Sequence, residues 1–468
     1  MTGTLPTIRR ADRMPAAAQG NHVPVAIVGG GACGLTAALM LHDLGVECAV
    51  LERDATPTGS SALSSGFIPA PATRVQKELG IDDSPERFAA DISAKAKGRA
   101  APQLVQAYAR AIGPALDALQ QRHGLQWQVL DGFLYPGHSV RRMHAVPEKT
   151  GVGLMGRLAN AVAAADIPLV TDATVRELWA DDTGLVIGVG YERPGGRLEH
   201  LSCDAAILAC NGFGGNAAMV RELLPDMRDA LFAGHTGNDG SAIAWGRALG
   251  ARLADLGGYQ GHGSWAIPQG ALISWALMME GGIQVNALGR RFHDETQGYS
   301  EASVHVLAQP GGVAWNVFDA PLLALARGFP DFVDAEVAGA VKHCDSVQAL
   351  AAVIGCDEAA LAATIGGQGP YPRPEARPLQ APFCAVKVTG ALFHTQGGLD
   401  IDAQCRVLDT TGCPFPNLLA AGGAARGVSG DAVWGYLSGN GLLSAVAGGY
   451  IAAHTAAHLL EPTKSTTA

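Results

Sequence analysis

An uninterrupted apolar run, Val23 to Val28, opens the stretch VPVAIVGGGACGLTAALMLHDLGVECAVLERD. A short apolar run without polar alternation is typical of a strand buried on both faces of a parallel sheet. Glycines, a segment with helical apolar periodicity and a second apolar run, ECAVLE, follow it. The pattern predicts a strand, a glycine turn, a helix and a strand in direct succession.

The glycines of this turn, Gly29, Gly31 and Gly34, have GxGxxG spacing, and Glu52 ends the second strand. Such glycines permit a tight turn and let a pyrophosphate lie on the helix N-terminus, while the acid accepts from a ribose hydroxyl. A glycine turn alone occurs in many α/β proteins. Here the strand, the helix and the acid stand in the required order, and we predict a dinucleotide site.

Two later apolar runs also end in glycines, in DAAILACNGFGGN (204–216) and PNLLAAGGAARGVSG (416–430). Because the last of these lies near the C-terminus, we predict one cofactor domain that is interrupted by an insertion. The loop after Glu52 is rich in small hydroxyl side chains and can run beside an extended flavin. Its candidate donors to phosphates and ring edges are Ser60, Ser61, Ser64 and Ser65. The other interpretation of this loop is a plain surface segment.

Composition narrows the class of protein. The 468 residues are 48% hydrophobic and 16% charged, as expected for a folded chain of two or three domains. A net charge of -10 argues against nucleic-acid binding. The nine cysteines form no CxxC pair, so we expect neither a zinc site nor a disulfide framework, and no metal. Cys33, within the glycine turn, is interpreted as a small packing residue.

The two ends of the chain are polar. The first residues, MTGTLPTIRRADRMPAAAQG, contain an Arg-Arg pair but no apolar run after it, which argues against an export signal. No stretch reaches the roughly 18 uninterrupted apolar residues of a membrane helix. We expect a cytoplasmic protein, monomeric or a small homo-oligomer, with a disordered segment 1–21 and a flexible tail 462–468.

Six motifs together carry a resemblance to a known family: AIVGGGACG, LACNGFGGN, TGNDGSAIAWGRALGA, GIQVNALGRRFHDE, HTQGGLDID and LSGNGLLSAVAGG. They resemble the FAD-dependent family of fumarate reductase and succinate dehydrogenase flavoproteins, which also contains the 3-ketosteroid dehydrogenases. The resemblance runs from residue 22 to about residue 460. It implies an α/β fold, a doubly wound, Rossmann-like FAD domain (22–257 and 386–461) interrupted by an α+β capping domain (258–385), with the active site between them.

The resemblance also implies how FAD is held. Covalently flavinylated members carry a histidine in the loop after the second strand, where this chain has SSALSSG, so we expect non-covalent FAD. Many members place an acid after AAG, where this chain has Gly423; either the affinity for FAD is lower or another group substitutes for the acid. The predicted cofactor contacts, besides Gly29, Gly31, Gly34, Glu52 and the four serines, are Ala32, Arg53, Gly66, Val175, Cys210, Asn211, Gly212, Asp239, Gly422, Asn440, Gly441 and Leu442.

Two tyrosines stand where fumarate reductases have arginines. In that family an arginine eight residues after the arginine of the RF.NE motif donates the proton, and the same count from Arg291 reaches Tyr299. A second arginine lies four residues before the asparagine of the C-terminal GN motif, and the same count back from Asn440 reaches Tyr436. Because arginine pairs clamp dicarboxylates, their replacement predicts a different substrate. The upstream Glu/Arg relay is also replaced, by ALISWALMMEGG.

Further candidates surround these tyrosines in sequence. Tyr436 and Ser438 resemble the Tyr-x-Ser arrangement of flavoenzymes that desaturate 3-oxosteroids, although the serine can instead cap the next helix. His262 and His394 match histidines that hold substrate or cofactor in the reductases, and His262 can equally be a structural hinge residue. An apolar pocket is expected, with about half of its candidate residues in contact with substrate: Trp265, Ile267, Trp275, Met278, Met279 and Trp434.

These positions predict an FAD-dependent dehydrogenase that places a double bond beside the carbonyl of a small apolar cyclic ketone, a 3-oxosteroid or an oxocyclohexane. A tyrosine removes the α-proton and the β-carbon passes hydride to flavin N5; the electron acceptor is unknown. The alternative is a fumarate- or enoate-type reductase of an activated C=C bond, with Arg290 or Arg426 holding a carboxylate. A non-enzymatic FAD-binding protein is a third possibility.

Overall fold

The chain folds into two compact units. The computed structural model describes residues 6–461 except residues 19, 131, 133 and 374. The large unit contains the residues up to 223, 234–259 and those from 394 onwards, and the small unit contains 224–233 and 260–393. These limits differ from the predicted ones, which ended the inserted domain at residue 385 and left 224–233 in the FAD domain.

A nine-stranded sheet forms the centre of the large unit. The strand His22–Val28 lies between Cys48–Leu51 and Arg197–Leu208, and it pairs in parallel with both. Pro414–Ala420 extends the parallel part, with Leu208 opposite Ala420. The remaining strands of this sheet are Thr7–Arg10, Leu169–Val170, Thr174–Ala180, Val186–Arg193 and Arg406–Leu408. The predicted doubly wound α/β fold is confirmed.

Helices pack against this sheet through small residues. The helix Ala32–Asp43 packs on Asn440–Leu460 so closely that a Cβ on Gly449 would lie 2.4 Å from the carbonyl oxygen of Cys33. The buried thiol of Cys33 is therefore a packing group. The other helices of the large unit are Gly59–Ala62, Arg74–Glu78, Pro85–Lys95, Pro102–His123, Gly151–Ala164, Ala217–Leu223 and Ser241–Leu249.

The N-terminal segment is ordered where the prediction had disorder. Thr7–Arg10 pairs in parallel with Thr174–Ala180 at the sheet edge, so the prediction of a disordered segment 1–21 is wrong for these residues. Ile8 packs against the large core, and Arg9 donates to the buried Glu177 with Nε 2.8 Å from Oε1. These contacts outweigh the polar composition of the segment. Residues 1–5 and the predicted flexible tail 462–468 lie outside the described residues.

The small unit is built on a seven-stranded sheet. Its long strand, Phe383–Thr395, pairs antiparallel with Val313–Asp319 and with Val341–Cys344. The other strands are Leu231–Phe232, Tyr259–Ala266, Ala271–Leu272 and Ile283–Val285. Its helices are Ala276–Met279, Tyr299–Leu307, Ala320–Ala326, Pro330–Val337, Val347–Ile354 and Glu358–Ile365. They cover a separate apolar core, as the predicted α+β capping domain requires.

Across the described residues, no single helix has the length and apolarity to cross a membrane. One bent pair, Val347–Ile354 with Glu358–Ile365, passes that test by length and composition only. The described part of the chain also contains no group of three or more His, Cys, Asp or Glu side chains placed to hold a metal ion.

Candidate active site

The turn after the first strand admits only glycine at two positions. Gly29 has φ +109°, and a Cβ there would lie 2.6 Å from the carbonyl oxygen of Ala209. A Cβ on Gly34 would lie 1.9 Å from the carbonyl oxygen of Gly29. Side chains at these positions would collide with backbone, so the helix can begin this close to the sheet only with glycine. Gly31, by contrast, has only Ser61 Oγ within 4 Å of a built Cβ, at 3.7 Å.

The helix that begins at Ala32 presents its N-terminus to this open space. Its N-cap, Gly31, gives it no side-chain cap, and the Ala32 N–H donates to Ser61 Oγ at 3.2 Å. The carboxylate of Glu52 accepts from the N–H groups of Gly30 at 2.6 Å and Asp54 at 2.9 Å. Burial raises the pKa of Glu52, and those two N–H groups act against the rise. A helix N-terminus beside an acid suits a pyrophosphate and a ribose.

The serine loop is packed and cross-linked. Ser60 Oγ accepts from the side-chain amides of Asn211 at 3.1 Å and Asn238 at 2.9 Å. Ser64 Oγ donates to the carbonyl of Ser61 at 2.7 Å. Both Gly66 and Gly151 lie against backbone, where a Cβ would approach a carbonyl to 2.6 Å and 2.2 Å. The plain surface loop that sequence left open is therefore disfavoured, and Ser65 is half-buried beside this arrangement.

Asn211 occupies the space that the missing acid would need. Its backbone is left-handed, with φ +66°, and a Cβ on Gly423 would lie 2.2 Å from Asn211 Oδ1. The next residue, Gly212, has Thr395 Oγ1 2.0 Å from its built Cβ. Burial raises the pKa of Cys210 to about 12, so its thiol stays protonated. The structure therefore places the amide of Asn211 beside Gly423, where many family members have an acid.

The remaining cofactor candidates divide into polar and packing positions. Arg53 donates to the carbonyl of Gly237 at 2.6 Å and pairs with Asp239 at 3.3 Å. Asp239 also accepts from Ser241 at the start of a helix. The side chains of Val175 and Leu442 are buried in the large core, and Gly422 has φ +60° beside Cys33.

At the start of the helix Asn440–Leu460, two polar atoms are buried without a hydrogen-bond partner among the described residues, Asn440 Oδ1 and Ser444 Oγ. Such atoms are expected where a polar ligand completes the site. Together with the helix N-terminus at Ala32 and the glycine turn that precedes it, they fit a bound dinucleotide.

In the small unit, Tyr299 and His262 form a stacked pair. Tyr299 begins the helix Tyr299–Leu307 after Gly298, whose φ is +129°. Its ring lies 4.8 Å from the ring of His262, centroid to centroid, at 19°. His262 Nδ1 accepts from the Ser264 N–H at 3.0 Å, and burial lowers the pKa of His262 to about 3. The histidine is therefore neutral with its proton on Nε2.

In the large unit, Tyr436 and His394 form a second pair. Their rings meet edge to face at 5.6 Å. A Cβ built on Gly441 would lie 2.7 Å from His394 Nε2 and 3.6 Å from Tyr436 Oη, so both polar atoms lie over this glycine. Burial lowers the pKa of His394 to about 4. Ser438 is buried, and the N-cap of the next helix is Gly439, so the capping interpretation of Ser438 is wrong.

The two arginines reserved for a carboxylate have different surroundings. Arg426 pairs with Asp255 through Nη2 at 2.8 Å and with Asp400 through Nη1 at 3.0 Å. Its charge is balanced within the large unit. Arg290 is exposed at a turn of the small unit. Its neighbour Arg291 pairs with the buried Glu295.

A family model described as "FAD binding domain" matches residues 24–442. The chain belongs to this family. It is an FAD-dependent oxidoreductase, and the prediction of FAD as the cofactor is confirmed.

Named relatives include an NADH:fumarate oxidoreductase of Klebsiella pneumoniae (strain 342), 28% identical over 447 residues. That alignment covers 92% of this chain and 47% of the relative, so the chain spans about half of that protein's length. Among solved structures, the open conformation of a flavocytochrome c3 fumarate reductase matches with a TM-score of 0.80 and 26% identity. It covers 94% of this chain and 79% of that one.

A 3-ketosteroid-delta4-(5alpha)-dehydrogenase from Rhodococcus jostii RHA1, in complex with 4-androstene-3,17-dione, has a TM-score of 0.74. It is 24% identical, and the match covers 94% of this chain and 97% of that one. This likeness concerns the fold.

The residues predicted to line an apolar pocket differ in how deeply they are buried. Trp275 and Met278 are buried in the core of the small unit, and their contact with substrate stays a prediction. Their packing sites are created by strands distant in sequence, which apolar composition alone cannot reveal. Trp265 is half-buried and meets Phe393 edge to face at 5.6 Å. Trp434 is half-buried, with Lys97 Nζ 4.4 Å from its ring centroid.

Sequence reasoning missed a polar chain behind His394. Asn440 Nδ2 donates to Ser429 Oγ at 2.9 Å, and Ser429 Oγ donates to Gln396 Oε1 at 2.8 Å. Gln396 Nε2 lies 3.1 Å from His394 Nδ1. Gln396 stands within the quoted motif HTQGG, two residues after the histidine, and that position was the available signal.

Proposed function

We propose that the protein introduces a double bond next to the carbonyl of an alicyclic ketone of the 3-oxosteroid or oxocyclohexane type. The observation that carries this proposal is the pair of tyrosines, Tyr299 and Tyr436, at the two positions matched to dicarboxylate-binding arginines. A phenol suits a ketone, because it can donate to the carbonyl oxygen or, as phenolate, remove the α-proton. FAD, when bound, supplies the acceptor for the hydride that leaves the β-carbon.

The charge balance around Arg426 supports this choice of substrate. A dicarboxylate brings two negative charges, and their desolvation must be compensated by cations. Arg426 is paired with Asp255 and Asp400. A neutral ketone needs no cation in the site to compensate for its desolvation.

Each tyrosine has a neutral histidine as its neighbour. His262 and His394 have pKa values lowered by burial to about 3 and about 4. Neither histidine adds a positive charge for a carboxylate at neutral pH. In this proposal one tyrosine removes the α-proton and the other polarises the carbonyl, with Ser438 assisting proton transfer beside Tyr436.

The second candidate is reduction of an activated C=C bond, as in a fumarate or enoate reductase. It is favoured by the names of relatives that align over most of the chain, such as the "Fumarate reductase (cytochrome)" of Shewanella frigidimarina, 27% identical over 96% of this chain. The ketosteroid dehydrogenase complexed with 4-androstene-3,17-dione illustrates that the same fold accommodates a ketone.

A substrate panel separates the two candidates. The FAD-loaded protein is mixed with an artificial electron acceptor and, in turn, a saturated 3-oxosteroid, substituted cyclohexanones and succinate. In a second set, the FAD-loaded protein is mixed with fumarate and a reduced dye as the electron donor. We expect acceptor reduction with a cyclic ketone and slow reaction with succinate and fumarate. Rapid reduction of fumarate would contradict the proposal and leave the reductase.

A further inference from the structure

A buried ionic cluster in the large unit ends at the candidate catalytic loop, residues 436–440. Arg142 has no exposed surface. It donates to both carboxylate oxygens of Asp83, Nε to Oδ2 at 2.8 Å and Nη2 to Oδ1 at 2.9 Å. It also pairs with Asp91, and its guanidinium carbon lies 4.7 Å from the ring centroid of Phe88. These contacts hold the arginine in one position.

His138 connects this cluster to the loop. Its Nδ1 lies 3.2 Å from Arg142 Nη1, and its Nε2 lies 3.0 Å from the carbonyl oxygen of Ser438. An arginine can only donate and a carbonyl can only accept, so Nδ1 accepts and Nε2–H donates. The partners thus determine the tautomer of His138. The contact joins residues 300 positions apart in the chain.

Close packing holds the same loop from other sides. A Cβ on Gly137 would lie 2.7 Å from Leu437 Cδ1, and one on Gly439 would lie 2.5 Å from Pro69 Cδ. Gly137 and Gly439 both have positive φ, +82° and +87°. These close contacts and the hydrogen bond from His138 together position the carbonyl of Ser438. Burial, with the charge of Arg142, lowers the pKa of His138 to about 4, so the ring is neutral at pH 7.

We propose that His138 is a positioning residue: its Nε2–H holds the Ser438 carbonyl and thereby sets the place of Tyr436 and of the start of the helix Asn440–Leu460. The inference rests on the proposed function for the role of Tyr436. Its structural part, the hold on the loop, is independent of the substrate. Asp83, Asp91 and Arg142 act through His138.

Two nearly isosteric substitutions separate the hydrogen bond from the packing. In His138→Gln, the amide oxygen can accept from Arg142 and the amide nitrogen can donate to Ser438. In His138→Glu, the carboxylate still pairs with Arg142 but cannot donate to the carbonyl. His138→Met, which is apolar, serves as a second non-donating variant if the glutamate prevents folding.

The first readout is hydrogen–deuterium exchange of peptides covering 433–440 in the FAD-loaded, substrate-free protein. The Asn440 N–H, which donates to the Leu437 carbonyl at 3.0 Å, reports the loop directly. We expect exchange at least about tenfold faster in the Glu and Met variants and near-normal in the Gln variant, since the lost donor opens the loop locally. Peptides covering 32–43 should exchange as in the wild type and serve as the control.

The second readout is turnover of the ketone found by the substrate panel. Misplacement of a catalytic group by about 1 Å can lower the rate about 10²-fold, so kcat should fall on that scale in the Glu and Met variants with KM little changed. His138→Gln should restore kcat. If all three variants exchange at the wild-type rate and keep the wild-type kcat, the inference is overturned. Faster exchange in a protein that turns over no ketone would sustain the hold on the loop and refute the proposed function instead.

Discussion

Replacing Arg426 by methionine removes a charge from between two carboxylates while keeping a side chain of similar length. Arg426 contacts Asp255 at 2.8 Å and Asp400 at 3.0 Å, and only 15% of its side chain is exposed. Asp255 and Asp400 are 11% and 5% exposed. Because the partners of a broken buried ion pair stay charged and desolvated, such changes destabilise by about 3–5 kcal/mol. Arg252 still pairs with Asp400, so Asp255 bears most of the loss.

The assay is thermal unfolding of the protein at saturating FAD, since the bound cofactor itself shifts the transition. A loss of about 3–5 kcal/mol corresponds to a Tm lower by roughly 4–7 °C for a unit of this size. Arg290→Met, at an exposed position, is the matched control and should change stability by less than about 0.5 kcal/mol. Binding of succinate should be equally weak in the wild type and in both variants.

The stability deficit of Arg426→Met should change with pH in a defined direction. Burial raises the pKa of Asp255, and Arg426 acts against that rise. A carboxyl whose pKa is higher in the folded state than in the unfolded state stabilises at low pH, and that contribution is lost as pH rises through the folded pKa. Without Arg426 the pKa rises further, so the stability deficit of the variant should shrink on acidification. A variant that unfolds like the wild type but loses dicarboxylate binding would refute this account and favour the reductase.

Three further predictions concern the cofactor and acid stability. Glu52→Lys should weaken FAD binding, because it removes the carboxylate acceptor beside the helix N-terminus, whereas Glu47→Lys, at an exposed position, should leave FAD binding unchanged. Unchanged flavin occupancy in Glu52→Lys would contradict the placement of the ribose. Heat or acid should release FAD from the protein, since SSALSSG holds no histidine, and flavin attached to the denatured chain would show a covalent link. The free energy of unfolding should fall as pH drops from about 6.5 towards 4, because histidines bind protons there in the unfolded state but not when buried in the folded state. At pH 5 each buried histidine should lower stability by roughly 2 kcal/mol; the residues concerned are His138, His144, His262 and His293. Denaturant midpoints that do not change over this pH range would contradict the prediction.

The cofactor half of the large unit could be predicted from sequence because its signals are local. Gly29, Gly34 and Glu52 lie within one strand–turn–helix–strand unit, and their spacing predicts the backbone geometry of that unit. The structure adds the reasons: Gly34 has no room for a side chain, and Glu52 accepts from the Gly30 N–H.

The parts that sequence did not predict depend on contacts between distant segments. The hold of His138 on the Ser438 carbonyl spans 300 positions, and the filling of the space beside Gly423 by Asn211 needs two glycine junctions side by side. Likewise, apolar composition could not tell that Trp275 belongs to the core of the small unit. The N-terminal strand Thr7–Arg10 escaped notice because its pairing partner lies at Thr174–Ala180.

The most direct test of the central claim is turnover of Tyr299→Phe and Tyr436→Phe with a saturating cyclic ketone at matched FAD loading. Phenylalanine keeps the ring that packs against His262 or His394 and removes only the hydroxyl, so folding and flavin content should survive. General acid–base groups contribute typically ~10²–10⁴-fold, and each variant should lose turnover on that scale. Ser438→Ala should lose less if the serine only assists proton transfer. Near-normal turnover in both phenylalanine variants would contradict the account, because the two tyrosines would then be packing residues.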